Sequence, residues 1–143
     1  MKYLVLMLLI LQCVAGEAAA NENLNVTRAK SNYQILCQGC HVGDGRGGSG
    51  VPDMLGKVGF FLNGQQGREY LVRVPGSANS ALDSAELAEV LNWIMIEIGK
   101  KSTPQDFTDY SEQEVERLRK SPLFEAVEYR KQLVKKLFPS AGQ

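Results

Sequence analysis

The stretch Cys37-Gln38-Gly39-Cys40-His41 decides how the rest of this 143-residue chain is interpreted. Two cysteines separated by two residues and followed at once by a histidine form the pattern that attaches a c-type haem. The thiols of Cys37 and Cys40 would add to the vinyl groups of the porphyrin, and His41 would ligate the iron from one side. His41 is the only histidine in the chain. The motif therefore predicts one covalently bound haem c.

Three other interpretations of the motif are weaker. A dithiol redox site of the thioredoxin type follows a strand and opens a helix, whereas here a helical pattern precedes the motif and a glycine-rich loop follows it. A disulfide between Cys37 and Cys40 would leave the adjacent His41 unexplained. A structural zinc site needs four protein ligands, and the motif offers three. Haem attachment is the interpretation that gives every residue of the pattern a task.

The segment before the motif has a helical pattern. Residues 25–36 are expected to form a helix with Asn25 or Thr27 as its cap, since apolar side chains recur at helical spacing at Ala29, Tyr33 and Leu36. The helix would lead directly into the motif.

A glycine-rich loop, residues 42–52, follows the motif and shows no hydrophobic periodicity. Such a loop cannot form a core by itself, so other parts of the chain must hold it. The spacing of Gly45, Gly47 and Gly50 also matches a dinucleotide-binding fingerprint, but no strand precedes it and no helix clearly begins at its end. The loop is therefore expected to wrap one edge of the haem.

A second clear helix is predicted further along the chain, after short helical turns at 57–62 and 67–74. Asp83 with Glu86 three positions later is typical of a capping box, and the helix should end near Gly99. Its apolar face would consist of Leu87, Val90, Leu91, Ile94 and Ile98.

Beyond a polar linker, residues 101–110, the pattern predicts a helical extension. Ser111 with Glu114 caps one short helix, and Ser121-Pro122 is expected to start another. The apolar stripe of that last helix would be Phe124, Val127, Leu133, Val134 and Leu137. Because no stretch alternates as a strand does, we predict an all-α fold with a domain at 21–100 and a helical extension at 101–143.

The first 20 residues are typical of a cleaved signal peptide. Lys2 precedes an apolar run, and Ala18-Ala19-Ala20 offers small residues for cleavage after Ala20, with Gly16 as the alternative. The run is too short to span a bilayer, so no stable membrane insertion is expected. Lipidation at Cys13 is disfavoured because Gln12 stands where a small residue is needed. The mature protein should therefore be periplasmic.

With this motif and its flanking residues, the chain resembles the small soluble cytochromes c of class I, over residues 25–99. Ala29 and Tyr33 match the small and aromatic residues at which that family's first helix crosses its last, and Trp93 matches an aromatic that packs into the crossing. The stretch 52–56 resembles the family's Pro-x-Leu-x-Gly. The resemblance implies a cytochrome c-like fold around one haem, in which the Pro52 carbonyl accepts the N–H of the His41 imidazole.

One departure from the family concerns the distal iron ligand. The family carries a methionine in the loop before its last helix, and residues 73–82 contain none. Met54 offers a thioether, although it stands at the family's leucine; Met95 follows Trp93 on the helix; and Asn79 lies in the loop itself. Water or a vacant position completes the alternatives.

The expected function is electron transfer rather than enzymatic catalysis. A haem held in this way would carry one electron between redox partner proteins, with a periplasmic dehydrogenase as a possible donor. The alternative is an open distal site that binds O₂, NO or CO or has weak peroxidase-like activity. The chain has 16 basic and 16 acidic residues, which gives no support to nucleic-acid binding.

The amphipathic stretch 123–137 allows two roles for the extension. It folds back over the core, or it docks onto a partner with its basic side chains facing outward, namely Arg130, Lys131, Lys135 and Lys136. Folding back is the favoured alternative, because exposed apolar stripes are uncommon on monomers.

Overall fold

The computed structural model describes residues 25–138, and this part of the chain is helical with no strand in it. The all-α prediction is therefore confirmed. None of the helices in this range is long and apolar enough to cross a membrane. The predicted signal peptide, residues 1–20, lies outside the described residues, as does Cys13.

Helices of three kinds follow one another along residues 25–138. The α-helices are α1 (Val26–Leu36), α2 (Gln38–His41), α3 (Gln65–Arg73), α4 (Pro75–Ala78), α5 (Ser84–Ile94), α6 (Glu112–Arg119) and α7 (Ala126–Leu137). Two 3-10 helices span Val58–Asn63 and Lys100–Ser102, and a π-helical segment spans Met95–Gly99.

Helix α1 packs across α5. The Asn25 side chain caps α1 by accepting the backbone N–H of Arg28 at 2.9 Å, as the sequence predicts. Ala29 is completely buried at the contact, and the ring of Tyr33 lies 5.1 Å from that of Trp93. A small residue beside two aromatic rings lets the helices approach closely, so the segment that leads into Cys37 is held on the core.

Helix α5 starts as predicted and ends in an unexpected way. The Asp83 side chain and the Glu86 side chain form a complete capping box. After Ile94 the helix widens into the π-helical segment, where the Thr103 hydroxyl donates to the Met95 carbonyl at 2.6 Å. Ile98, within this segment, is buried. Lys100, with a φ of 50°, then ends the element.

The C-terminal extension folds back and joins the same hydrophobic core as α1 and α5. Its buried side chains are Tyr110, Val115, Leu118 and Leu133. The buried Asn92 amide donates to the Tyr110 carbonyl at 3.1 Å and accepts the Tyr110 N–H at 2.7 Å. Residues on both sides of the predicted boundary at 100 therefore share one core.

The predicted start of the last helix is wrong. Helix α7 begins at Ala126 rather than at Ser121-Pro122. The Leu123 N–H donates to the Arg73 carbonyl at 2.9 Å, and this bond to another helix takes the segment away from a helical path. Consequently Phe124 and Val127 are 95% and 74% exposed, although the sequence pattern placed both on the apolar stripe.

The basic face of α7 points only partly outward. Lys131, Lys135 and Lys136 are exposed as predicted. Arg130 is half-buried, and its guanidinium lies 6.0 Å from the centre of the Phe61 ring. The Lys136 ammonium donates to the Gln66 side chain at 2.9 Å, so part of this face is bonded to α3.

Candidate functional site

The Cys-x-x-Cys-His motif sits on a short helical turn that continues α1. The Cys37 N–H still donates to the Tyr33 carbonyl at 2.9 Å, and the His41 N–H donates to the Cys37 carbonyl at 3.0 Å. Both thiols are free, with Cys37 half-buried and Cys40 exposed. The crossing of α1 with α5 thus fixes the position of the motif.

The two thiols are close enough to affect each other. Burial raises the pKa of the Cys37 thiol, and the charge of a Cys40 thiolate raises it further. Ionisation of Cys37 is therefore disfavoured, because a second negative charge nearby would repel its thiolate. Cys37 is thus held as a neutral thiol, and the Cys40 thiol lies at the surface.

His41 has a partly buried imidazole whose Nδ1 lacks a hydrogen-bond partner among the described residues. Burial lowers the pKa of the His41 imidazole, and the Pro52 carbonyl opposes this effect by raising it. The Pro52 carbonyl thus lies beside the ring, but the contact falls short of a full hydrogen bond. A low pKa keeps the imidazole neutral, which is the state that can ligate a metal.

The glycine loop is held by backbone bonds to the motif. The Gly47 N–H donates to the His41 carbonyl at 2.9 Å, and the Tyr33 hydroxyl donates to the Val42 carbonyl at 3.0 Å. Gly47 has a φ of +72°, and a Cβ built on it would lie 2.9 Å from the Pro52 carbonyl oxygen. Only glycine lets the loop pass this close to Pro52.

The loop is also tied to the end of the long helix. The Met54 N–H donates to the Gly45 carbonyl at 2.8 Å, and the Gly56 N–H donates to the Ile98 carbonyl at the same distance. Gly45 is buried with a φ of +85°, and a Cβ there would collide with the Ile98 side chain. The π-helical segment therefore supplies the surface on which the loop rests.

Charges around the motif are paired locally. Asp44 binds Arg46, and Asp53 binds Lys57, each with an N to O distance of 2.7 Å. These partners hold the pKa of both carboxyl groups below the usual range, chiefly through the hydrogen bonds from Arg46 and Lys57. The loop therefore presents little net charge next to His41.

The other residues singled out from the sequence lie at several depths. Trp93 is buried against Tyr33, and Met54 is half-buried against the core. Met95 is completely buried in the core, whereas Asn79 is exposed. No cluster of three His, Cys, Asp or Glu side chains that could hold a metal ion occurs within residues 25–138.

Sequence reasoning missed Arg119, at the end of α6. Its guanidinium donates to the carbonyls of Ala78, Ser80 and Leu82 at 3.2, 2.9 and 2.8 Å, respectively. These carbonyls belong to the 78–82 loop, about forty positions earlier in the chain. Because the acceptors are backbone carbonyls, which every residue has, no pattern of side chains in the sequence predicts this contact.

Comparisons of the chain with models of protein families, with curated proteins and with solved structures find no match. The inference of function therefore depends on the chemistry of the residues themselves.

Proposed function

We propose that this chain is a monohaem c-type cytochrome that transfers single electrons. The observation that carries the proposal is the arrangement of the motif: two free thiols on one helical turn, next to a partly buried imidazole whose Nδ1 has no hydrogen-bond partner in the described part of the chain. Cys37 and Cys40 would form the thioethers, and His41 would ligate the iron. The free thiols and the imidazole are the groups that these roles require.

The described residues fit a haem attached in this way. Free thiols are required for addition to vinyl groups, and a disulfide between Cys37 and Cys40 would have prevented it. The neutral state of His41 leaves a ring nitrogen available for iron. The neighbouring Pro52 carbonyl would accept a ring N–H of the imidazole.

The chain's own residues would hold the cofactor and set its environment. A haem bound here supplies one-electron redox chemistry. The two thioethers would keep the cofactor attached even though a small domain encloses only part of it. Pro52, by accepting the imidazole N–H, would make His41 a stronger donor to iron. The paired charges at Asp44 and Asp53 would leave the surrounding loop nearly neutral.

The resemblance to class I cytochromes c extends the proposal to fold, location and partners. The α1–α5 crossing at Ala29, Tyr33 and Trp93 supports a cytochrome c-like core. We propose export to the periplasm by the leader at 1–20. The partners would be other redox proteins, with a dehydrogenase as the possible donor.

The test is the presence of a covalently bound pigment. The chain is expressed together with a haem-attachment system, purified and extracted with acidified acetone. We expect the pigment to stay with the protein, and Cys37→Ala or Cys40→Ala to weaken or abolish its retention. Cys13→Ala is the matched control, because Cys13 lies in the expected leader and should not matter. A wild-type protein without extraction-resistant pigment would refute the proposal.

A second candidate function is the binding of small diatomic ligands. It is favoured by the absence of methionine from residues 73–82, where the family carries its distal ligand. The visible spectrum of the reduced protein with and without CO separates the two candidates. Rapid and complete CO binding favours the open site, and an unchanged spectrum favours a firmly held sixth ligand and electron transfer.

A further inference from the structure

The 78–82 loop immediately before α5 is bound by a single side chain from the extension. The Arg119 guanidinium donates to three carbonyls of this loop, those of Ala78, Ser80 and Leu82. The three bonds fix the orientation of three of the peptide groups in this stretch of five residues. A lysine could not do this, because its donors radiate from one atom rather than from a planar fork.

Arg119 itself is held firmly in place. It is the last residue of α6, a helix that buries Val115 and Leu118 in the common core. At the start of the same helix, Glu114 forms an ion pair with Arg68 at 2.7 Å. The guanidinium is thus presented by an anchored helix rather than by a mobile side chain on a surface.

A second bond pair joins the extension to the helix before the loop. The Arg73 side chain donates to the Ser121 carbonyl at 2.7 Å, and the Leu123 N–H donates to the Arg73 carbonyl at 2.9 Å. The residues directly after α6 therefore fix the end of α3, while Arg119 fixes the loop that follows α4. The stretch 73–82 is held at both ends.

The loop held in this way buries a polar group that has no hydrogen-bond partner among residues 25–138. The Ser80 hydroxyl is buried and makes no hydrogen bond within the described part of the chain, while the neighbouring Asn79 is exposed. Burying an unsatisfied hydroxyl costs free energy. The bonds from Arg119 offset this cost.

We propose that Arg119 is a positioning residue that keeps the 78–82 loop closed and thereby limits the access of small ligands to the distal side of the haem. This inference rests on the proposed function, because the stretch 73–82 corresponds to the family's distal loop only through the resemblance. We call the contact of Arg119 with the 78–82 loop the clamp; through it, the C-terminal extension would control access to the iron. With the clamp in place, Asn79 stays exposed and Ser80 stays turned inward.

Two measurements on Arg119→Gln test the clamp. The first is hydrogen–deuterium exchange of the backbone N–H groups of Ala78, Asn79 and Ser80, which donate within the turn and exchange when it opens. The second is the rate of CO binding to the reduced protein. The matched control is Arg117→Gln, which removes an equal charge from an exposed position of the same helix. Arg119→Lys keeps the charge but lacks the fork.

We expect Arg119→Gln to exchange these amides about tenfold faster or more, since bonds from a charged donor are the stronger kind. CO binding should accelerate by about the same factor. Arg117→Gln should match the wild type in both. If Arg119→Gln does not fold, Arg119→Lys carries the comparison, with a smaller acceleration expected.

Two results would overturn the inference. Equal exchange in the Arg119 and Arg117 variants would show that no clamp exists. Faster exchange with an unchanged CO rate would show that the loop does not control the iron. A wild type without bound haem would instead refute the proposed function, and the exchange comparison would still decide whether Arg119 holds the loop.

Discussion

Replacing Gly47 with alanine should disturb the contact between the glycine loop and Pro52. Gly47 has a φ of +72°, so any side chain costs about 1 kcal/mol in backbone strain. The new Cβ would also lie 2.9 Å from the Pro52 carbonyl oxygen and closer still to the Val51 carbonyl oxygen. Displacing these rigid backbone atoms should cost about 1–3 kcal/mol more. The expected loss of unfolding free energy is therefore about 2–4 kcal/mol.

Gly50→Ala is the control, because Gly50 has a similar φ of +79° but nothing within 4 Å of its would-be Cβ. The free energy of unfolding of Gly50→Ala should fall only by the cost of backbone strain, about 1 kcal/mol. Guanidinium unfolding followed by circular dichroism measures the loss of stability in both variants. In the haem-loaded protein, Gly47→Ala should also raise the reduction potential, because a displaced Pro52 carbonyl makes His41 a weaker donor. Equal losses in the two variants would refute the close contact at Pro52.

Three further outcomes can be checked by unfolding experiments. Asn92→Ala leaves the buried N–H and carbonyl of Tyr110 unpaired and should lower the free energy of unfolding by about 2–4 kcal/mol. The control Asn63→Ala removes a hydrogen bond at an exposed site and should lower it by less than about 1 kcal/mol. Equal losses in the two variants would contradict this prediction. Burial raises the pKa of Tyr33 to about 12, above its ordinary 10.0. The protonated Tyr33 side chain therefore makes its full contribution to the free energy of unfolding below pH 10, and this contribution is lost as the pH rises towards 12. Wild-type stability should fall more steeply there than that of Tyr33→Phe, by about 1.4 kcal/mol per pH unit, and parallel curves would exclude this cause. A chain ending at Lys101 lacks the buried side chains of the extension and should lose cooperative thermal unfolding; an unchanged melting curve would show that the shared core is dispensable.

The helices that carry strong local signals were predictable from the sequence. The Asn25 cap of α1 and the capping box of Asp83 with Glu86 depend on residues three positions apart, so the pattern contains the whole interaction. Ser111 caps α6 for the same reason. The crossing of α1 with α5 followed from the resemblance, which matched Ala29, Tyr33 and Trp93 to the family's crossing residues.

The features that depend on distant backbone groups were not predictable. Helix α7 starts late because Leu123 bonds to the carbonyl of Arg73. The π-helical end of α5 involves the Thr103 hydroxyl, which no local propensity anticipates. In the sequence, Arg119 is indistinguishable from an ordinary surface charge on an amphipathic helix. Only the structure shows its three carbonyl partners.

At the site, the sequence supplied the reactive atoms and the structure supplied their surroundings. The motif alone names Cys37, Cys40 and His41. That the imidazole is partly buried, beside a carbonyl it does not fully bind, follows from the path of the glycine loop. That path depends in turn on Ile98, some fifty residues later.

The shared core also sets an order of events during biosynthesis. A chain emerges from the ribosome with its N-terminus first, so the thiol pair is available long before Leu133, which completes the core, has been made. Throughout that interval the segment from Cys37 to His41 belongs to an incompletely folded polypeptide. The thiols of Cys37 and Cys40 are therefore accessible to any enzyme that acts on them before the last helix completes the core.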